Sequence, residues 1–199
     1  YENENPWFWI DLETTGLDVD TNLILEIVVV VTDSKLNEVD TMRLVLHHPY
    51  SILMARSSAW CRKRFCHTKE GGNGLFEACH FSSLSHHEAE YRLWQFFDHY
   101  RPDGYAGPGN TRRSNYKRCM LAGSTVYFDR LFLLKYFPCM KTFFHYRLID
   151  VSTPLEMVRR WRPDLVPSLP RRTGTHRAYD DILESINLMK FFKDMFVAS

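Results

Sequence analysis

A chain of 199 residues that is 45% apolar and 15% aromatic is long and apolar enough to bury one good core, which excludes a disordered tail. Its formal net charge of +1 excludes bulk electrostatic capture of long nucleic acid. No apolar run approaches the roughly 20 residues that span a bilayer, and an odd set of five cysteines argues against a disulfide framework and for a reducing compartment. Tyr1 is not an initiator methionine, so the true start, and any targeting peptide, is expected to lie outside the chain.

The first element is a strand over Trp7–Glu13, in which Phe8, Ile10 and Leu12 alternate with Trp9, Asp11 and Glu13. Period-two geometry makes Asp11 and Glu13 emerge side by side, roughly 6.6 Å apart along the strand. Two carboxylates on a buried face repel each other and are expensive to desolvate. A divalent cation such as Mg²⁺ or Mn²⁺, which prefers oxygen ligands, removes that cost. The alternative is a chance D-x-E on a solvated outer face. Thr14-Thr15-Gly16 then ends the strand and leaves the pair at its open edge.

Strands over Leu23–Thr32 and Glu38–His47 follow, with short polar connections such as Asp33-Ser34-Lys35 that predict an antiparallel meander. Helices are expected over Ser57–Cys66 and Ser85–Tyr100. The second opens on a capping box, Ser85-x-x-Glu88, and turns Leu93, Trp94, Phe96 and Phe97 inward. Cys61, Cys66, His67, Cys79 and His80 lack a paired C-x2-C knuckle, so they read as ordinary thiols and histidines rather than a zinc site. Basic clusters at Arg62-Lys63-Arg64, Arg112-Arg113 through Lys117-Arg118, and Arg171-Arg172 have a solvated surface as their ordinary reading.

Met120–Gly123 and Arg147–Val151 are expected as short strands, each followed by a helix. The first of these helices carries Asp129, an isolated acid among Phe128, Leu131 and Phe132, which is either a helix N-terminal charge or a site residue. The second is expected to start at Thr153-Pro154, a capping hydroxyl before a proline at the first helical position. The last helix, about Ala178–Phe196, carries an apolar stripe of Ile182, Ile186, Met189, Phe192 and Phe196. Asp181 lies in its first turn, and His176 precedes it on a loop after Pro167, Pro170 and Gly174. The connections Arg101–Arg118 and Pro163–Thr175 are long and rich in Pro, Gly and Arg, hence mobile or functional. Three early strands followed by alternating strands and helices make an α/β domain.

Asp11, Glu13, Asp129, His176 and Asp181, in the order D-x-E-T-T-G, a central acid and H-x4-D, resemble the DEDDh 3′-to-5′ exonucleases. The longer runs from Trp9 to Asp18, from His145 to Thr153, at Arg159-Arg160-Trp161 and from His176 to Ile182 resemble the oligoribonucleases, the branch that degrades very short RNAs. The resemblance extends from about Trp9 to Phe192. It implies a ribonuclease-H-like mixed sheet of three antiparallel strands followed by alternating strands and helices, in a single exonuclease domain over residues 1–199 with a core at about 7–196. The implied activity is 3′-to-5′ hydrolysis of short oligoribonucleotides, dinucleotides above all, to nucleoside 5′-monophosphates with two Mg²⁺ or Mn²⁺ ions. Asp11 then bridges both ions, Glu13 and Asp181 complete the attacking side, Asp129 acts through water on the leaving side, and His176 takes the proton of the attacking water.

The same resemblance implies substrate contacts. Leu17 is the wedge between two bases, the alternative being a leucine that packs its own turn. Arg147, Ser152 and Thr153 cap a 5′ phosphate, with Thr125 where relatives place a serine; the alternative for Arg147 is an ion pair with Asp150. Near Trp60 the family's stacking histidine is replaced by Phe65, with His67 following, and either ring is open to that role. Tyr146 is expected to reach the site of a partner, which implies a homodimer. Thr14 in place of a common methionine and Ser124 in place of a common asparagine depart from the oligoribonuclease pattern. The expected location is intracellular, cytoplasmic or mitochondrial. Two other readings stand beside this one: a DEDDh exonuclease trimming longer RNA or DNA, and an inactive RNA-binding module, which retention of all five site residues disfavours.

Overall fold

The computed structural model describes residues 6–100, 119–171 and 174–197. Among them is a five-stranded mixed sheet in the order β3-β2-β1-β4-β5, with β1 Trp7–Thr14, β2 Ile24–Thr32, β3 Glu38–Val45, β4 Cys119–Gly123 and β5 Phe144–Asp150. β1, β2 and β3 are antiparallel, whereas β1, β4 and β5 run parallel. The helices are α1 Tyr50–Arg56, α2 Ala59–Phe65, α3 Leu75–Phe81, α4 His86–His99, α5 Tyr127–Tyr136, α6 Ser152–Trp161 and α7 Ala178–Val197. This is the expected mixed α/β arrangement.

Every position of β2 is buried, because helices cover both faces of the sheet, as its unbroken apolar run requires. On one face Phe8, Ile10, Leu12, Val29 and Val31 pack against Leu93 and Phe97 of α4 and Phe132 and Leu133 of α5. On the other, Trp9, Val28, Val30 and Ala122 pack against Val158 of α6 and Ile182, Ile186 and Phe192 of α7. A smaller cluster of Leu25, Leu53, Cys61, Phe65, Leu75, Phe76 and Cys79 joins α1, α2 and α3. Its two thiols lie against the Thr14 and Leu25 carbonyls, and burial pushes the Cys79 thiol up to about 12. All five cysteines are free.

The β2–β3 turn closes because Asp33 Oδ1 accepts from the Lys35 and Asn37 amides, each at 2.8 Å. Ser85 caps α4 as expected, accepting from Glu88 N–H at 3.2 Å. Trp94, expected inward, is exposed: on α4 the covered stripe is Ala89, Leu93 and Phe97. α6 begins one residue before the expected cap. Asp150 Oδ1 accepts from both the Ser152 amide (3.0 Å) and hydroxyl (2.6 Å), so this acid, not Thr153, closes the helix start. Part of the 163–175 connection is wound into a 3₁₀ helix, Pro163–Ser168, while the 101–118 connection lies outside the described residues. Among the described residues no helix is long and apolar enough to cross a membrane.

The Trp9 indole N–H donates to Thr32 Oγ1 at 2.9 Å, and both residues are fully buried. Thr32→Val keeps the shape but strands the indole donor, so it is expected to cost about 1–3 kcal/mol, with Thr32→Ser milder. Urea denaturation should read this as a lower midpoint at unchanged slope.

Candidate active site

β1 turns Trp9, Asp11 and Glu13 toward α7, and packing of Ile182 and Ile186 against Trp9 and Val28 seats that helix on the sheet. Asp181, in the first turn of α7, is thereby brought to the strand acids. One ligand oxygen each from Asp11, Glu13 and Asp181 lie within 4.8 Å of one another. The sheet permits close approach here because a Cβ on Gly123 would stand 2.9 Å from the Ile10 carbonyl, a distance only glycine allows. The β1–β4 ladder ends at Trp9↔Ala122. The Leu12 amide donates instead to Asp129 Oδ1 at 2.8 Å, which places Asp129 at the edge of β1 beyond the end of that ladder, near Asp11 but outside the trio.

These acids suppress one another's ionisation. Desolvation first, then the charges of Asp129, Glu13 and Asp181, hold the Asp11 carboxyl well above the usual range. Glu13 is pushed up to about 9 by burial, then by Asp181 and Glu26, with Arg177 acting in the opposite direction. Asp129 rises to about 7, chiefly through burial, against the lowering effect of the Leu12 amide. A compact set of hard oxygens that resists ionising without a counter-charge fits a divalent cation.

His176 sits on the loop entering α7 at a backbone φ of 51°, with its ring edge-on to Trp60, centroids 5.2 Å apart. Asn73 Nδ2 braces the loop by donating to the His176 carbonyl at 2.8 Å, and the Arg64 guanidinium donates to the Gly174 carbonyl. Two neighbours were not anticipated from sequence. Glu26 lies opposite Glu13 across the β1–β2 ladder and is buried. Arg177 grips it with two bonds of 2.7 and 3.1 Å, and the Ala178 amide donates to it at 3.3 Å. An isolated acid inside the apolar run Ile24–Val31 was the signal available in the sequence.

Leu17 is 82% exposed, so it does not pack its own turn. A Cβ on Gly16 would fall 2.6 Å from Asn22 Oδ1, and Asn22 also donates to the Arg56 carbonyl at 3.1 Å, which fixes the turn that presents Leu17. Trp60 is exposed, whereas Phe65 is buried and cannot stack on a ligand. The His67 ring is engaged, accepting from the Lys69 amide and lying 3.1 Å from Glu77. Tyr146 is 71% exposed, and the Arg147 guanidinium lies 5.5 Å from its ring centroid. Asp150, the alternative partner for Arg147, is taken instead by the Thr125 amide (2.9 Å) and by Ser152. The Ser152 hydroxyl proton is therefore committed, while Thr125 and Thr153 remain exposed. Of the basic clusters, Arg112–Arg118 and Arg172 lie outside the described residues.

A family model described as exonuclease (RNase_T) matches residues 109–189, a span that takes in Asp129, His176 and Asp181. The chain is 35% identical over 194 residues to an oligoribonuclease of Marinobacter nauticus, covering 98% of this chain and 97% of that one. It is 36% identical over 187 residues to the mitochondrial oligoribonuclease of Homo sapiens, covering 94% and 71% respectively. Among solved structures, the zinc-bound E. coli exonuclease I–single-stranded DNA complex superposes with a TM-score of 0.65 at 14% identity, covering 95% of this chain. This chain spans 40% of the length of that one, and the likeness is one of fold.

Proton linkage sets a test of the acidic cluster. With Glu13 raised from 4.5 to about 9 in the fold, the metal-free folded state holds more protons than the unfolded chain between those values. Stability must therefore fall as pH rises through that window. A bound divalent cation favours the ionised form and should flatten the slope. Thermal melts in chelator and in excess Mg²⁺, taken from about pH 5 to 9, should diverge increasingly toward high pH.

Proposed function

We propose that this chain, which belongs to the oligoribonuclease family and is a 3′-to-5′ exoribonuclease of short oligoribonucleotides, cleaves its substrate at the Asp11–Glu13–Asp181 trio. The observation that carries the assignment is the convergence of three carboxylates from β1 and α7, their oxygens within 4.8 Å of one another. Asp11, Glu13 and Asp181 would hold Mg²⁺ or Mn²⁺ directly, with Asp129, held by the Leu12 amide, acting through water on the leaving side. Two such ions, when bound, would supply Lewis-acid chemistry that lowers the pKa of water and offsets charge on the phosphate.

The remaining steps belong to side chains. His176, held on its braced loop, accepts the proton of the attacking water. Leu17, standing free of its own turn, wedges between bases. Arg147, with the Thr125 and Thr153 hydroxyls, caps a 5′ phosphate. Ser152 serves that cap mainly by orienting Asp150, since its proton is already donated there. A two-nucleotide ligand with a 5′ phosphate then satisfies both ends of the site, and hydrolysis releases nucleoside 5′-monophosphates. Tyr146, exposed beside Arg147, is the residue that reaches a second copy of the chain, in a homodimer. Free thiols and the mitochondrial relative support a reducing compartment, cytoplasmic or mitochondrial.

Asp11→Ala and Asp181→Ala are expected to abolish cleavage, and a chelator to do so reversibly. His176→Ala should lower the rate by about 10²–10⁴ with metal affinity kept. Single-turnover assays beside Mn²⁺ calorimetry check both statements, and full activity in chelator would refute the mechanism.

Length discrimination tests the phosphate cap. Losing a charge-assisted hydrogen bond costs about 1.5–3 kcal/mol, roughly tenfold to a hundredfold in affinity. Arg147→Ala should therefore impair 5′-phosphorylated dinucleotides far more than 10-mers. Light scattering should give about twice the chain mass. Equal rates on two-mers and twenty-mers, whatever stands at position 147, would point to a trimming exonuclease of longer chains.

A further inference from the structure

We propose that Glu26 and Arg177 form a positioning pair for the hydrolysis. The pair locks the start of α7 to β2 so that His176 and Asp181 meet the β1 acids, and it keeps a fifth carboxylate out of the metal site. The inference rests on the metal assignment made above and assigns these two residues a part in it.

The geometry is specific. Glu26 is the cross-strand partner of Glu13 and is 4% exposed, so its carboxylate is buried directly beside a proposed ligand. Arg177 stands between His176 and the first turn of α7. Its forked guanidinium matches both carboxylate oxygens, which fixes orientation as a lysine's point charge could not. The Ala178 amide adds a third bond to Glu26, and the Arg177 carbonyl accepts from the Asp181 amide at 3.1 Å. One acid on β2 thus tethers three successive features: the base-bearing loop, the helix N-terminus and the ligand-bearing turn. The pair also balances its own charge. An ionised carboxylate and the guanidinium that grips it stand together across the ladder from Glu13, so their charges act on it in opposite directions.

That balance separates a positioning role from simple structural support, because removing either partner leaves the other's charge beside the site. Glu26→Gln leaves a guanidinium uncompensated near Glu13, and Mn²⁺ affinity should fall about tenfold. Arg177→Gln leaves a free carboxylate, so Mn²⁺ should bind as tightly as in wild type or tighter. The liberated acid competes for the ion and the α7 start loses its tether, so kcat should drop tenfold or more, by order of magnitude, with KM nearly unchanged. The double variant should recover Mn²⁺ affinity without recovering kcat, and Arg177→Lys should keep part of both.

Full-length variants, checked for folding by circular dichroism, are titrated with Mn²⁺ by calorimetry and assayed on a 5′-phosphorylated diribonucleotide. Lowered Mn²⁺ affinity in Glu26→Gln with affinity kept or raised in Arg177→Gln, and kcat lowered in both, supports the proposal. A parallel loss of affinity that tracks lost stability overturns it, as does kcat within about twofold of wild type in both. Should Arg177→Gln fail to fold, the double variant, which strands no charge, decides: kcat near wild type overturns the proposal. If wild type binds no Mn²⁺ and cleaves in chelator, the metal assignment itself has failed, a result distinguishable from failure of the pair alone.

Discussion

Repulsion among carboxylates gathered from β1, β2, α5 and α7 is the constraint around which the molecule is arranged. A close pair of like charges costs about 4 kcal/mol at a surface-like dielectric, whereas a whole domain is stable by only about 5–15 kcal/mol. Several ionised acids at such separations are therefore not sustained by apolar packing alone. The chain contains the repulsion in three ways. Glu26 is neutralised by Arg177. Asp129, beside Asp11, is given the Leu12 amide. Asp11, Glu13 and Asp181 are left facing one another, with protons or a cation as the available relief. That trio is the part of the site where an ion is useful.

Topology explains why the other proposed contacts lie near that trio. β1, β4 and β5 run parallel, so their C-terminal ends open on the same edge of the sheet, where ligands of open α/β sheets bind. Glu13 and the Leu17 turn follow from the end of β1, Thr125 from the end of β4, and Asp150 with Ser152 from the end of β5. Residues scattered over more than half the sequence share one edge because of strand direction. α7 completes the site by packing across β1 with its N-terminus, rather than its middle, at that edge.

How much of this was legible depended on how local each signal was. The first strand was readable because its alternation and its D-x-E pair lie within a few residues. Asp181 and His176 were readable because α7 is long and its apolar stripe regular. Phe65 was not, since spacing from Trp60 says nothing about which side of a two-turn helix faces the third core cluster. The start of α6 was misjudged by two residues because its first amide bonds back to Asp150, at the end of the preceding strand. α1 and α3, seven residues each, are too short for a clear period. Glu26 went unread because its partner lies 151 positions away, a pairing that only the folded chain discloses.

Two non-glycine residues at this edge hold the left-handed backbone conformation, Thr125 at φ 59° and His176 at φ 51°. Such geometry costs on the order of 1–3 kcal/mol per residue and persists only where surroundings enforce it. Here the enforcement is visible: Asp150 holds the Thr125 amide, and Asn73 holds the His176 carbonyl. Both braces are side chains from other segments, so neither conformation is a local preference of its loop. The wedge at Leu17 is braced differently, by Asn22 within its own turn. The groups assigned to phosphate and proton are each fixed by a polar side chain outside their own segment. Their geometry is set by the fold before any ligand arrives, which is where preorganisation has its value in a reaction governed by charge and position.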